Sequence, residues 1–164
     1  MGGGPAWTLE FVPLPAWATS PAPVEFQQRV ERYATVLSSN TKTWTWADVS
    51  PDLKGDSKAA RDARKAVKDA AIAQGIVPSV PVDANDFADF SGHVLTEATL
   101  PQSFWGMTDD QQFNYLNQQF GGTQPPGYTW HHHQDPGRMQ LVAFGVHNMT
   151  SHHGGRDVWC SGPR

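Results

Sequence analysis

Apolar residues recur at helical spacing in three stretches of the chain. Phe26, Val30, Tyr33 and Leu37 follow Pro23 at intervals of three and four, with Glu25, Gln28, Arg29 and Arg32 between them. That pattern predicts an amphipathic helix over 24–37. Ala60, Ala63, Val67 and Ala70 draw a thinner stripe through a second helix, Ser57 to Gln74, closed by Gly75. A third opens at Thr108, where Thr-Asp-Asp-Gln fits a capping box, buries Phe113, Leu116 and Phe120, and ends before Gly121.

Elsewhere the period is two. KTWTW, Lys42 to Trp46, sets Trp44 and Trp46 on one face of an expected short strand. Tyr128-Thr129-Trp130 and Met139 to Val142 read as two further strands joined by Gln134-Asp135-Pro136-Gly137, whose Pro and Gly carry turn chemistry. Ala143 to His153 then suits a short helix stopped by Gly154-Gly155. Residues 76–107 read as irregular and proline-punctuated, and the first twenty, with prolines at 5, 13 and 15, as an extended arm or linker. The pattern contains no internal repeat. The expected class is α+β, a strand–turn–strand–helix unit at the C-terminal end preceded by several helices.

Composition narrows this. At 164 residues, 38% of them hydrophobic, the chain has enough apolar material for a core and the length of one domain with a modest appendage. No run of eighteen apolar residues exists, so no helix is expected to span a membrane. MGGGPAW has neither the basic nor the apolar region of a secretory signal and reads as a cut point in a larger protein. The one cysteine, Cys160, has no partner for an internal disulfide and reads as an incidental thiol. Net charge is −4, which argues against a strongly basic nucleic-acid binder. Its distribution is uneven: residues 76–126 hold six acidic and no basic side chains, while residues 53–75 hold six basic and three acidic. The basic helix there reads as a solvated surface with Lys58–Asp62 and Lys65–Asp69 pairs, in preference to a phosphate-binding face.

The histidines change the picture most. Six of the seven fall within 23 residues: His131, His132 and His133 at the end of the first hairpin strand, then His147, His152 and His153 on the expected helix. Imidazoles brought together from two neighbouring elements have the composition of a site for zinc or another first-row divalent metal. His93 stands alone and reads as structural or solvent-facing. Trp130 reads as core packing in preference to base stacking.

TWHHHQDPGRMQLV followed by VHNMTSHHGG resembles the HNH/endonuclease VII, or His-Me finger, nucleases. The nearest likeness is to their WHH type, as found in C-terminal toxin domains of bacterial polymorphic toxins and type VI secretion effectors. The resemblance is specific over 127–159, fainter through Phe104 to Phe120 and the DFSGHV segment, and absent from 1–85. It divides the chain into a variable lead-in or helical segment, 1–85, and a nuclease toxin domain, 86–164.

The resemblance implies a ββα-metal core and a metal-dependent endonuclease. It assigns one divalent metal (Zn, Mg, Mn or Ni) to His131, His147 and His152, and the general base to His132. In a regular strand His131 and His133 share a face and His132 points away, so His133 stands as an alternative for the base. His147 and His152 are five apart, which requires the helix to unwind toward Gly154 or His153 to substitute. Gln140 or Asn148 is a candidate to steady the base, Asp135 to orient a histidine or serve only the turn, and Arg138 and Arg156 to contact phosphate. By the same resemblance, the substrate is DNA in preference to RNA, cut without marked sequence preference. The protein is then a piece of a larger secreted effector acting in the cytoplasm of a target bacterium, with a cognate immunity protein as partner. The rival readings are a non-catalytic histidine-rich metal-binding or interaction module, and a ribonuclease on the same finger.

Overall fold

The computed structural model describes residues 23–164; the expected N-terminal arm lies outside them. Helix α1 (Pro23–Ser38) and helix α3 (Lys58–Ala73) form where the spacing places them. Ser57 caps α3, its hydroxyl accepting from Ala60 N at 3.0 Å. At the far end Gly75 takes φ +71°, and the N–H groups of Gly75 and Ile76 close back on the carbonyls of Ile72 and Ala71. The two helices pack through Val30, Tyr33, Leu37, Val67 and Ala71, and Met149 joins the same cluster. Lys58–Asp62 and Lys65–Asp69 form exposed i,i+4 pairs, as expected, while Arg64 turns to the Leu53 and Gly55 carbonyls.

KTWTW forms no strand. The Asp48 carboxylate accepts from Thr45 N at 2.7 Å and starts the one-turn helix α2 (Trp46–Val49). A local cap here outweighs a five-residue alternation that has no partner strand. Trp44 and Trp46 nevertheless share a destination: Trp46 stacks on Tyr33 with centroids 4.8 Å apart, and Trp44 meets both rings edge-on.

Residues 76–107 hold a strand that the periodicity does not reveal. Strand β1 (Val94–Thr99) alternates only between half-buried and exposed, and its register slips between Val94 and Thr96. After it come α4 (Asp109–Leu116), extended by a 3₁₀ turn over Asn117–Phe120, and the expected hairpin of β2 (Tyr128–His132) and β3 (Arg138–Ala143). The three strands form an antiparallel sheet in the order β1-β3-β2. Strand β3 is therefore central, with Met139 to Val142 buried, and β2 is an edge.

The hairpin runs into helix α5 (Phe144–Met149), completing the ββα unit. α5 is shorter than the expected 143–153 because the Thr150 hydroxyl turns back on the Val146 carbonyl at 2.8 Å and the backbone becomes extended. Its start is fixed from α1: Asn40 Oδ1 accepts from Gly145 N at 2.9 Å, and a Cβ on Gly145 would overlap the Leu37 carbonyl. A last short helix, α6 (Arg156–Trp159), returns the chain to the hairpin.

The sheet separates two cores. One face presents Trp130, Met139 and Leu141 to Leu116 of α4, Leu100 and Trp159. The other presents Val142 to Phe90, Ala88 and Val146 of α5. Trp130 is 2% exposed and its Nε1 donates to Asn117 Oδ1 at 2.8 Å, so it is a core residue, as expected. Trp130→Phe removes this donor and leaves a buried acceptor, which lowers unfolding free energy by about 1–3 kcal/mol. Urea denaturation checks this; a loss under about 0.5 kcal/mol would mean that the hydrogen bond is dispensable.

Candidate metal centre and active site

His131 leaves β2 on the α5 face of the sheet, opposite Gln140 in register. His147 comes from α5, and His152 from the extended chain beyond it. One ring nitrogen of each lies within 4.8 Å of those of the other two. The early stop of α5 solves the five-residue spacing, because His152 turns back instead of continuing around a helix. Phe90, 1% exposed, packs against all three rings at centroid distances of 4.8, 5.4 and 5.2 Å.

Burial, reinforced by the neighbouring imidazoles His147 and His152, pushes the His131 pKa down to about 2. Burial and His152 push His147 down to about 4. Both rings are therefore neutral at pH 7 and keep a lone pair for a ligand. The Thr150 carbonyl, which can only accept, takes the Nδ1 proton of His152 at 2.7 Å and leaves Nε2 as that ring's free nitrogen. Three imidazoles gathered beside the Phe90 ring suit a divalent transition metal.

His132 leaves the strand on the opposite face, toward α4. Its Nε2 lies 2.7 Å from Gln112 Oε1 and 3.9 Å from Asp109 Oδ1. Burial lowers its pKa to about 4, the Asp109 carboxylate opposing the fall and Arg156 adding to it. Because β2 is an edge strand, the cleft along its open side is reached from both faces. That cleft, of about 320 Å³, is lined by His131, His132, His147, His152, Asp109 and Arg164 among others.

His133 lies elsewhere. Just past the end of β2, its ring faces Asp135 and Arg138, accepting from Asp135 N at 3.0 Å, and it lines a second cleft with Asp89, Arg138 and Gln140. Arg138 is held by Glu97 at 2.9 Å and Asp135 at 3.1 Å, and Gln140 donates to Glu97 at 2.7 Å. Neither the phosphate contact expected of Arg138 nor the base support expected of Gln140 has its geometry in the histidine cleft. Asn148 is exposed on α5. His153 packs on Phe87 and faces Asp157 at 3.7 Å, outside the cluster. Arg156 lines the cleft but is 3% exposed and tied to Asp109, Gln112 and three backbone carbonyls.

Phe90, Asp109, Gln112 and Arg164 are site residues that the sequence does not reveal. A capping box locates α4, but nothing in DDQQF marks which glutamine turns inward.

The C-terminal loop clamps the histidine strand from outside. Gly155 N donates to the His132 carbonyl at 2.8 Å and Trp159 Nε1 to the His133 carbonyl at 2.7 Å. The approach is so close that a Cβ on Gly155 would overlap the His133 carbonyl, whereas Gly154 faces open space.

Residues 120–162 match the model of the WHH family, described as a nuclease of the HNH/ENDO VII superfamily with conserved WHH. No curated protein and no solved structure gives a match. The family match makes the segment a phosphodiester-hydrolysing endonuclease whose substrate is nucleic acid, and the ββα unit with its clustered histidines fits the class. The match covers residues 120–162 alone, and this likeness to the WHH family implies a divalent metal.

Gly155→Ala should cost about 2–4 kcal/mol, since backbone must move, while Gly154→Ala stays within about 0.5 kcal/mol. Thermal unfolding of the pair checks this; equal stabilities would refute the close approach. Hydrogen bonds from Arg138 and Gln140 hold the Glu97 carboxyl below its ordinary range. With the folded value depressed, its contribution is complete above the unfolded pKa of about 4.3 and is lost as pH falls through the lower folded value. Glu97→Gln should therefore flatten the acid side of the stability–pH curve; urea midpoints from pH 6 to 3 read it, and parallel curves would count against it.

Proposed function

We propose that the protein is a metal-dependent, largely sequence-non-specific DNA endonuclease in which His131, His147 and His152 hold one divalent ion and His132 is the general base. The observation that carries this is the junction of a three-imidazole cluster and a separately held neutral histidine in one cleft of a WHH nuclease segment. Three protein ligands leave a coordination position open, as catalysis requires, whereas a structural zinc site closes with four. An all-imidazole set favours zinc or nickel over magnesium.

A bound ion supplies charge stabilisation at the scissile phosphate as its bond to oxygen breaks. The chain's own residues do the rest. His132 is uncharged at pH 7, held rigidly, and available to take a proton from the attacking water. Asp109 beside it favours the imidazolium so formed. Arg164, exposed at the rim of the cleft and loosely paired at 3.8 Å with Asp109, is placed to meet a phosphate oxygen. With a net charge of −4 and few free cations here, binding should be modest and strongly salt-dependent.

Action as an antibacterial toxin in the cytoplasm of a target bacterium, delivery within a larger secreted protein, and neutralisation by an immunity protein belong to the same proposal. They rest on the resemblance of residues 127–159 in sequence alone.

Purified protein stripped by chelator and resupplied with Zn²⁺, Ni²⁺, Mn²⁺ or Mg²⁺ should degrade supercoiled plasmid only with metal. His132→Ala should lower the rate by about 10²–10⁴-fold with zinc affinity retained, and His147→Ala should lose the zinc affinity itself. Calorimetric titration beside the cleavage assay separates the two. Cleavage of RNA but not plasmid would make it a ribonuclease, and an active His132→Ala would remove the base assignment.

A further inference from the structure

Gln112 is 0% exposed although it sits in the middle of a short polar helix. Every polar atom of its side chain is engaged. Nε2 donates to the carbonyls of Phe104 at 2.9 Å and Met107 at 3.2 Å. Oε1 lies 3.1 Å from Arg156 Nη1 and 2.7 Å from His132 Nε2. These partners leave the amide one orientation. Carbonyls cannot donate and a guanidinium cannot accept, so the nitrogen must face Phe104 and Met107 and the oxygen must face Arg156. A flipped amide would set oxygen against two oxygens and NH₂ against a cation.

We infer that Gln112 is the positioning residue of the base: its locked Oε1 holds the proton of neutral His132 on Nε2, so that Nδ1 is the atom that accepts the proton of water. An acceptor-only oxygen at 2.7 Å requires the facing ring nitrogen to carry hydrogen, and a neutral imidazole then has its lone pair on the other nitrogen. Nδ1 of His132 has no hydrogen-bond partner among the described residues, which leaves it available. When Nδ1 gains the proton, the Nε2–H bond to Gln112 becomes charge-assisted, and Asp109 at 3.9 Å faces the new cation. Gln112 lies outside residues 120–162, so the family segment does not by itself orient its own base. Arg156 acts here as the lock behind Gln112.

The inference rests on His132 being the base, but its first test does not. In the full chain labelled with ¹⁵N in its histidine rings, long-range ¹H–¹⁵N correlation at neutral pH reports which nitrogen of His132 carries hydrogen, without metal or substrate. Nε2–H as the dominant form is expected; dominant Nδ1–H overturns the inference whether or not the protein cuts DNA. Gln112→Met, similar in shape but without the acceptor, should show mixed tautomers and a kcat lower by about 10–100-fold with KM within about twofold. Gln112→Glu, which keeps an acceptor oxygen, should recover part of kcat. A folded Gln112→Met with wild-type kcat and the Nε2–H form retained overturns it too. Should Gln112→Met fail to fold, the wild-type tautomer decides alone. A His132→Ala variant that still cuts would strike the base assignment and leave the tautomer result standing, so the two failures are distinct.

Discussion

The site depends on the pleat of one edge strand. Successive side chains of β2 must point to opposite faces, so His131 and His132 cannot enter a site together from the interior of a sheet. The protein meets this constraint by placing β2 outermost, where both faces border the same cleft. The pairing of Thr129 to His132 with Met139 to Val142 sets the alternation, and the buried middle of β3 holds it. A slip of one residue would send His131 toward α4 and His132 toward the metal cluster, exchanging their surroundings. Everything else in the site is an answer to that alternation. Phe90, α5 and the chain after Met149 are arranged for the ring on one face, and α4 with Arg156 for the ring on the other.

The two sides differ in chemistry because their tasks differ. On the metal side the rings meet an aromatic wall and one another, with a single backbone carbonyl fixing His152. Desolvation keeps His131 and His147 neutral, which leaves each a lone pair with which to hold an ion. On the other side the ring meets an amide, a carboxylate and a guanidinium, each with a defined partner. That network determines one ring's orientation, while the metal side gathers three rings within reach of one ion.

Much of this was legible from the sequence, and the limits are physical. Long helices and the hairpin announce themselves because periodicity and end signals are local, as with Ser57 and Gly75 around α3. The run of histidines marked the elements, and four of the six, His131, His132, His147 and His152, line the cleft. KTWTW misled because alternation predicts a strand only where another strand lies beside it, and there Asp48 offers the backbone a nearer partner. Strand β1 escaped notice because a register slip and three polar residues blur its period. Arg156 is expected from the sequence to contact phosphate, yet it is buried, since Asp109, Gln112 and three backbone carbonyls take up its donors. Gln112 could not be singled out at all: its partners lie at 104, 107, 132 and 156, and only the folded chain brings them together.

Arg156 also bonds the carbonyls of Gly162 and Pro163. On a ribosome the chain emerges from its N-terminal end, so the histidines are complete well before those two acceptors exist. Until residue 163 has been made, the guanidinium lacks partners that it needs in order to be buried, and the clamp of α6 on β2 is unfinished. Assembly of the cleft thus waits on backbone that follows it: a nascent chain carries every histidine of the site for roughly ten residues before it can hold them in place.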